Sequence, residues 1–251
     1  MCDRCHDRSL VHTVSSATVS SARRRFLKLA GGAALGLATS APGFAAPAKA
    51  PPKPENVLSP DAALARLMKG NERYVEGVSK RHDFKHEREP LTKGQNPFAG
   101  VLSCADSRIA PEYAFDTGRG DLFVCRVAGN LINDDVIASF EYAVSVLNTP
   151  LIIVLGHQAC GAVDAAIKSI KDGATLPGHL PSLVTALAPA VNATLNQPGN
   201  GLDNAIKQNV VLTVAAVKSA TPILSMAVEE KKLRVVGAVY DLANGRVELV
   251  N

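Results

Sequence analysis

The chain has no tryptophan, few aromatic residues of any kind (4%), and no apolar run long enough to cross a bilayer. Its longest apolar stretch, Leu29 to about Phe44, holds about 16 residues broken by Gly, Ser and Thr, where a spanning helix needs about 20. No segment repeats at a period of roughly 20 to 50 residues, which excludes a solenoid. Excess charge is lacking too. The full chain carries 27 Lys and Arg against 23 Asp and Glu, but six of the basic and two of the acidic residues fall within residues 1–45. The remainder balances at 21 against 21, without the basic surplus that nucleic-acid binding requires. Cysteine is scarce: of five, only Cys104, Cys125 and Cys160 lie beyond residue 45. Three thiols cannot all pair within one chain, which points to thiolates occupied by something other than disulfides. What is present is an ordinary globular composition, 47% hydrophobic and 20% charged, over a length that suits one sizeable domain.

Residues 1–45 read apart from the rest. Arg23, Arg24, Arg25 and Lys28 form a basic head, Leu29 to about Phe44 an apolar middle, and small residues near Ala45 a cleavage site. The RRRFLK core resembles a twin-arginine export signal, with Ala22 where Ser or Thr is commoner. The expectation is a cleaved signal read by the twin-arginine translocase and a periplasmic or cell-envelope product. A short uncleaved anchor is the alternative. Cys2-Asp3-Arg4-Cys5-His6 matches the C-x-x-C-H haem pattern, but it precedes the arginines and would leave with the signal, so it is read as coincidence. Residues 46–58, rich in Pro, Ala and Lys, read as a linker, and residues 59–251 as the domain.

Within that domain, SPDAALARLMKGNERYVEG offers Ser59 as N-cap, Pro60 at the first helical position, and Leu64, Leu67 and Met68 on one face. It predicts an amphipathic N-terminal helix. FAGVLS, DLFVCRV, PLIIVLG and LRVVGAVYD are short runs rich in β-branched or aromatic residues, and they read as strands. Helical patterns separate them: DDVIASFEYAVSVL, CGAVDAAIKSIKDG and LDNAIKQNVVLTVAAVKSA. The alternation predicts an α/β fold, a mainly parallel central sheet flanked by helices with an N-terminal helical arm. Ala243-Asn244-Gly245 is a hairpin signal that would pair the last strand with RVELV.

Ligands of such sheets bind beyond the carboxyl ends of the strands. Two clusters fall there: Cys104-Ala105-Asp106-Ser107-Arg108, and Gly156-His157-Gln158-Ala159-Cys160-Gly161. Cys104, His157 and Cys160 make a set of two thiolates and an imidazole, which suits zinc with a fourth position open. Cys160 would open a helix, whose dipole favours the thiolate, and Gly156 and Gly161 would let the backbone turn tightly. If CADSR is extended, Asp106 and Arg108 share a face and can pair. Asp106 is then either the fourth ligand of a closed site, or is held off by Arg108 to accept a hydrogen bond from zinc-bound water. In the second case zinc lowers the pKa of that water from about 16 to about 7 and yields a hydroxide nucleophile.

C-x-D-x-R followed about fifty residues later by H-x-x-C-G resembles the β-class carbonic anhydrases. The similarity continues through RVAGN (126–130), EYAV (141–144), GHLPSLV (178–184) and GAVYDLANGRV (237–247). It implies reversible hydration of carbon dioxide to bicarbonate, one zinc per subunit, and a homodimer that often builds larger assemblies, with the N-terminal helix packing on a neighbouring subunit. Resemblance to the plant-like branch assigns the substrate pocket to Gln95, nine residues before Cys104, with Phe123, Tyr142, Gly161 and Ala128. Ala128 stands where that branch has Val, and Val127 where the family usually has Asn. The bacterial branch with a second bicarbonate site uses a Trp there, and this chain has none, so an open zinc is expected.

The same residues admit other readings. A structural zinc would want a fourth Cys or His, and none is evident. The same centre could hydrolyse carbonyl sulfide or carbon disulfide, or bind zinc or bicarbonate in the envelope without catalysis. Cys125 reads as a core residue, and His82 and His86 as solvated surface.

Overall fold

The structure, a computed structural model, describes residues 56–250. The expected signal (1–45), the Cys2–His6 pattern and residues 46–55 of the expected linker lie outside the described residues. Asn56, the next residue along, is buried, donating to the Asn96 carbonyl at 2.6 Å and to Asp121 Oδ1 at 3.0 Å while Arg66 Nη1 donates to its Oδ1.

Ser59 starts α1 (Pro60–Val75): its hydroxyl accepts from the Ala62 N–H at 3.3 Å, and Pro60 needs no partner in the first turn. A charged segment with the short α2 (Arg88–Leu91) leads to β1 (Ala99–Ser103), α3 (Pro111–Ala114) and β2 (Leu122–Arg126). A 3-10 turn (Ala128–Asn130) and α4 (Asp134–Ser145) precede β3 (Leu151–His157), which runs into α5 (Gly161–Asp172). Then come α6 (Leu180–Thr194), α7 (Gly201–Ser219), α8 (Ile223–Glu229), β4 (Arg234–Tyr240) and β5 (Val247–Val250). The strands lie in the order β2-β1-β3-β4-β5, parallel except for β5, which pairs antiparallel with β4 through the Asn244-Gly245 turn. The α/β expectation holds. Four helices escape the sequence pattern: α2 and α3 are four residues each, α6 carries Pro189 in its interior, and α8 is only seven residues long.

Side chains alternate across β3, so Leu151, Ile153 and Leu155 face one layer and Ile152 and Val154 the other. On the first face α1 sits with Ala63, Leu64 and Leu67 buried beside β1 and β3. Its apolar stripe is therefore used within the same chain. Asn71, buried, locks the arrangement: its Nδ2 donates to the carbonyls of Ala114 and Gly245 at 2.9 and 2.8 Å, and its Oδ1 accepts from the Val247 N–H at 2.8 Å. Next to it, Gly70 lets α1 approach α3 so closely that a Cβ there would lie 1.9 Å from the Phe115 carbonyl oxygen.

Alanine normally stabilises a helix interior relative to glycine by about 1 kcal/mol. Gly70→Ala should do the opposite, costing about 1–3 kcal/mol through overpacking, and thermal melting should show a fall of several degrees. An unchanged or raised melting temperature would contradict the close contact.

Candidate metal centre

β1 and β3 are hydrogen-bonded neighbours running the same way, with Ser103 paired to Leu155. Their carboxyl ends therefore deliver two residues side by side: Cys104 one step beyond β1, and His157 as the last residue of β3. The chain then turns through Ala159, at φ +50°, and brings back Cys160 as the residue capping α5. The Sγ atoms of Cys104 and Cys160 and a ring nitrogen of His157 all lie within 4.8 Å of one another, and the three residues are buried.

The imidazole is committed to one tautomer. His157 Nδ1 lies 2.8 Å from the Gln158 carbonyl oxygen, which can only accept, so Nδ1 carries the proton. That leaves Nε2 as a lone pair, and it is buried without a hydrogen-bond partner. An orphaned buried acceptor facing two thiols is what a soft cation requires, so the residues fit zinc. The Cys104 thiol is held well below the ordinary cysteine range, first by the Cys160 thiol, then by His157 and the Gly129 N–H, which donates to its sulfur at 3.3 Å. Cys160 is pushed up by the thiolate on Cys104 and by burial. The two thiols thus favour sharing one negative charge, and a divalent cation would stabilise the second.

Asp106 and Arg108 pair as expected, but not by sharing a strand face. β1 ends at Ser103, and Asp106 opens a turn in which its Oδ1 accepts from the Arg108 backbone N–H at 2.9 Å. The guanidinium then closes a fork, Nε to Oδ1 at 2.9 Å and Nη2 to Oδ2 at 2.7 Å, and Nη2 also donates to the Ala159 carbonyl at 3.0 Å. That last bond ties the Cys104 loop to the Cys160 loop. The Arg108 side chain holds the Asp106 carboxyl far below the usual carboxylate range. Asp106 Oδ2 lies 3.8 Å from His157 Nε2, so the carboxylate faces the ligand cluster.

Arg126 is a residue that sequence reasoning left without a role. At the end of β2 it donates from Nε to the Cys104 carbonyl at 3.0 Å and from Nη2 to the carbonyls of Asp106 and Ile109 at 2.7 and 2.9 Å. One guanidinium thus holds the loop that carries Cys104, Asp106 and Arg108. The glycines act differently from expectation. A Cβ on Gly156 would meet Val210 at 2.7 Å, so this glycine admits α7 against β3, while Gly161 has open space around it; the turn is made by Ala159.

The other candidates divide between the two ends of the sheet. Ala128 lies beside it, in the turn whose Gly129 touches Cys104, and exposed Gly161 follows Cys160. Gln95 is exposed ahead of β1, at the amino end of the sheet. Phe123 sits near the start of β2, opposite Gly100, and its ring lies 6.3 Å from that of Tyr142, itself half exposed. The length of β1, roughly 16 Å, separates this group from Cys104. Cys125 is half-buried in β2, its thiol raised by burial, and is not among the clustered ligands. His86 is exposed, as expected, while His82 is partly covered and stacks on Phe84.

Residues 99–247 match the family model for carbonic anhydrase. This chain belongs to the carbonic anhydrase family, in its β class. It is similar to carbonic anhydrase 2 of Mycobacterium tuberculosis, 41% identical over 76% of this chain and 93% of that one. The carbonic anhydrase of Mycolicibacterium smegmatis is 38% identical over the same shares. Among solved structures, the β-carbonic anhydrase CcaA superposes with a TM-score of 0.58 at 25% identity, covering 75% of this chain and 95% of that one. A Coccomyxa β-carbonic anhydrase gives 0.57 at 26%, covering 74% and 86%. The carbonic anhydrase match takes in β1 through the first residue of β5, and so every residue of the Cys104–His157–Cys160 cluster.

Zinc content checks the cluster directly. The purified chain should hold one zinc by elemental analysis, and Cys160→Ala should lose nearly all of it with the fold retained. Full zinc occupancy in that variant would remove Cys160 from the ligand set.

Proposed function

We propose that this protein catalyses the reversible hydration of carbon dioxide to bicarbonate and a proton, with one zinc ion per subunit held by Cys104, His157 and Cys160. The observation that carries this reading is the oriented carboxylate beside a buried, unpartnered imidazole nitrogen. Zinc, when bound, supplies a Lewis acid that makes water nucleophilic near neutral pH. The chain supplies orientation. Asp106 Oδ1 already accepts two hydrogen bonds, from the Arg108 backbone and Nε, whereas Oδ2 accepts one, from Nη2. Oδ2 therefore keeps a free acceptor direction, and it is the oxygen nearer His157. We assign it to receive the O–H of the reacting water and to fix the direction of attack. Arg108 restrains the carboxylate by its fork, which favours a site left open to substrate at neutral pH over one closed by Asp106.

Gln95, Phe123 and Tyr142 serve this pocket only if a second copy of the chain supplies them, since they belong to the opposite end of the sheet from Cys104. That requirement supports a homodimer or larger assembly, with Ala128 and Gly161 on the zinc side of a shared cleft. Gln95 and the absence of Trp favour the plant-like branch. Arg23, Arg24 and Arg25 ahead of an apolar stretch support export through the twin-arginine translocase and a periplasmic or envelope location.

Stopped-flow hydration by the zinc-loaded chain tests the activity. Arg108→Lys, which cannot form the fork, should keep its zinc and lose about 10–100-fold in rate. Stoichiometric zinc without hydration in the unaltered chain would overturn the reading and turn attention to carbonyl sulfide, carbon disulfide or binding alone. For export, replacing Arg23 and Arg24 by Lys should trap the precursor inside the cell; unaltered export would refute the route.

A further inference from the structure

The centre has a support that comes from α7, eighty residues further along the chain. Asn209 is buried, 5% exposed, and its Nδ2 donates to the Gly129 carbonyl at 2.9 Å. The N–H of the same Gly129 donates to Cys104 Sγ at 3.3 Å. The two groups belong to successive peptide planes joined at the Gly129 Cα, where φ is +76°. Glycine takes that angle easily but is also the residue freest to leave it. Packing restrains one side, since a Cβ at Gly129 would meet Leu187 at 3.3 Å and Ala162 at 3.4 Å. Asn209 is the hydrogen bond that fixes the other plane. An N–H bond to the sulfur favours its thiolate form and fixes the direction of its lone pairs, and such partners outside the ligand set orient a ligand and raise its hold on the metal.

We propose that Asn209 is a positioning residue of the metal centre: by holding the Gly129 carbonyl it keeps the Gly129 N–H on the Cys104 sulfur, and so sets how firmly that thiolate holds the ion. This rests on the zinc reading above. The role differs from that of Arg126, which grips the backbone of the Cys104 loop and leaves the sulfur alone.

The test uses the full chain and the metals themselves. Asn209→Leu keeps the size of the side chain and removes its donor; Asn209→Asp turns an acceptor toward the carbonyl. Thr213→Val, a buried change one turn along α7, is the packing control. In both Asn209 variants zinc should pass to a chelator about 10–100-fold faster, and the thiolate-to-metal absorption of the cobalt(II)-loaded chain should shift. Thr213→Val should leave both within twofold. Unchanged zinc release and cobalt spectrum in folded Asn209 variants, or equal changes in Thr213→Val, would overturn the proposal. Should the Asn209 variants not fold, the unaltered chain loaded with cadmium-113 decides: a through-bond NMR correlation between the metal and the Gly129 amide proton is expected, and its absence overturns the N–H···S bond. Zinc retained by the unaltered chain with any of these failures defeats this inference alone; an unaltered chain that binds neither zinc nor cadmium defeats the zinc reading and this inference with it.

Discussion

The whole site depends on two parallel strands being neighbours. Because β1 and β3 pair in register and run the same way, the residues just past their ends are forced together, whatever they are. In this chain they are a thiol and an imidazole. The sheet tolerates them there because β1 and β3 are buried throughout and, Ser103 aside, apolar until His157 ends β3. An imidazole nitrogen without a partner in such a place is a cost to the fold that a metal ion would offset.

Around that junction the chain invests almost all its polar contacts in holding loops. Arg126 takes three carbonyls of the Cys104 loop, Arg108 takes the Asp106 carboxylate and the Ala159 carbonyl, and Asn209 takes the Gly129 carbonyl. All of these bonds except the Arg108–Asp106 fork cross from one element to another. Loops at the end of a sheet have no ladder to fix them, so their geometry comes from side chains that reach in from β2, α7 and the turn itself. The orientation of the Asp106 carboxylate is thus set by Arg108 and Arg126, which lie outside the Cys104–His157–Cys160 cluster.

Different parts of this design were legible to different degrees. The strands stand out as short β-branched runs, and the Asn244-Gly245 hairpin as a turn signal. Cys104, His157 and Cys160 could be grouped because their types suit one metal and because strand ends are where such residues meet. The route by which Asp106 meets Arg108 was not legible: alternation along a strand and a side-chain turn put the same two residues together, and only the end of β1 at Ser103 decides between them. Helix α6 was hidden by its interior proline, and the use of α1 by its own sheet was hidden because an apolar stripe does not say which surface it covers.

By itself, the sequence determined the α/β class, the ligand set and the pairing of an acid with a guanidinium, because these follow from residue type and local spacing. Tertiary structure alone decided that Arg126 and Asn209 reach the carbonyls of the loops beside Cys104, that Gly156 admits α7, and that Gln95, Phe123 and Tyr142 stand at the far end of the sheet from Cys104 and Cys160. The reason is physical. Residue chemistry and periodicity are local properties, whereas a hydrogen bond across eighty residues, or a distance along β1, exists only once the strands have an order and a direction.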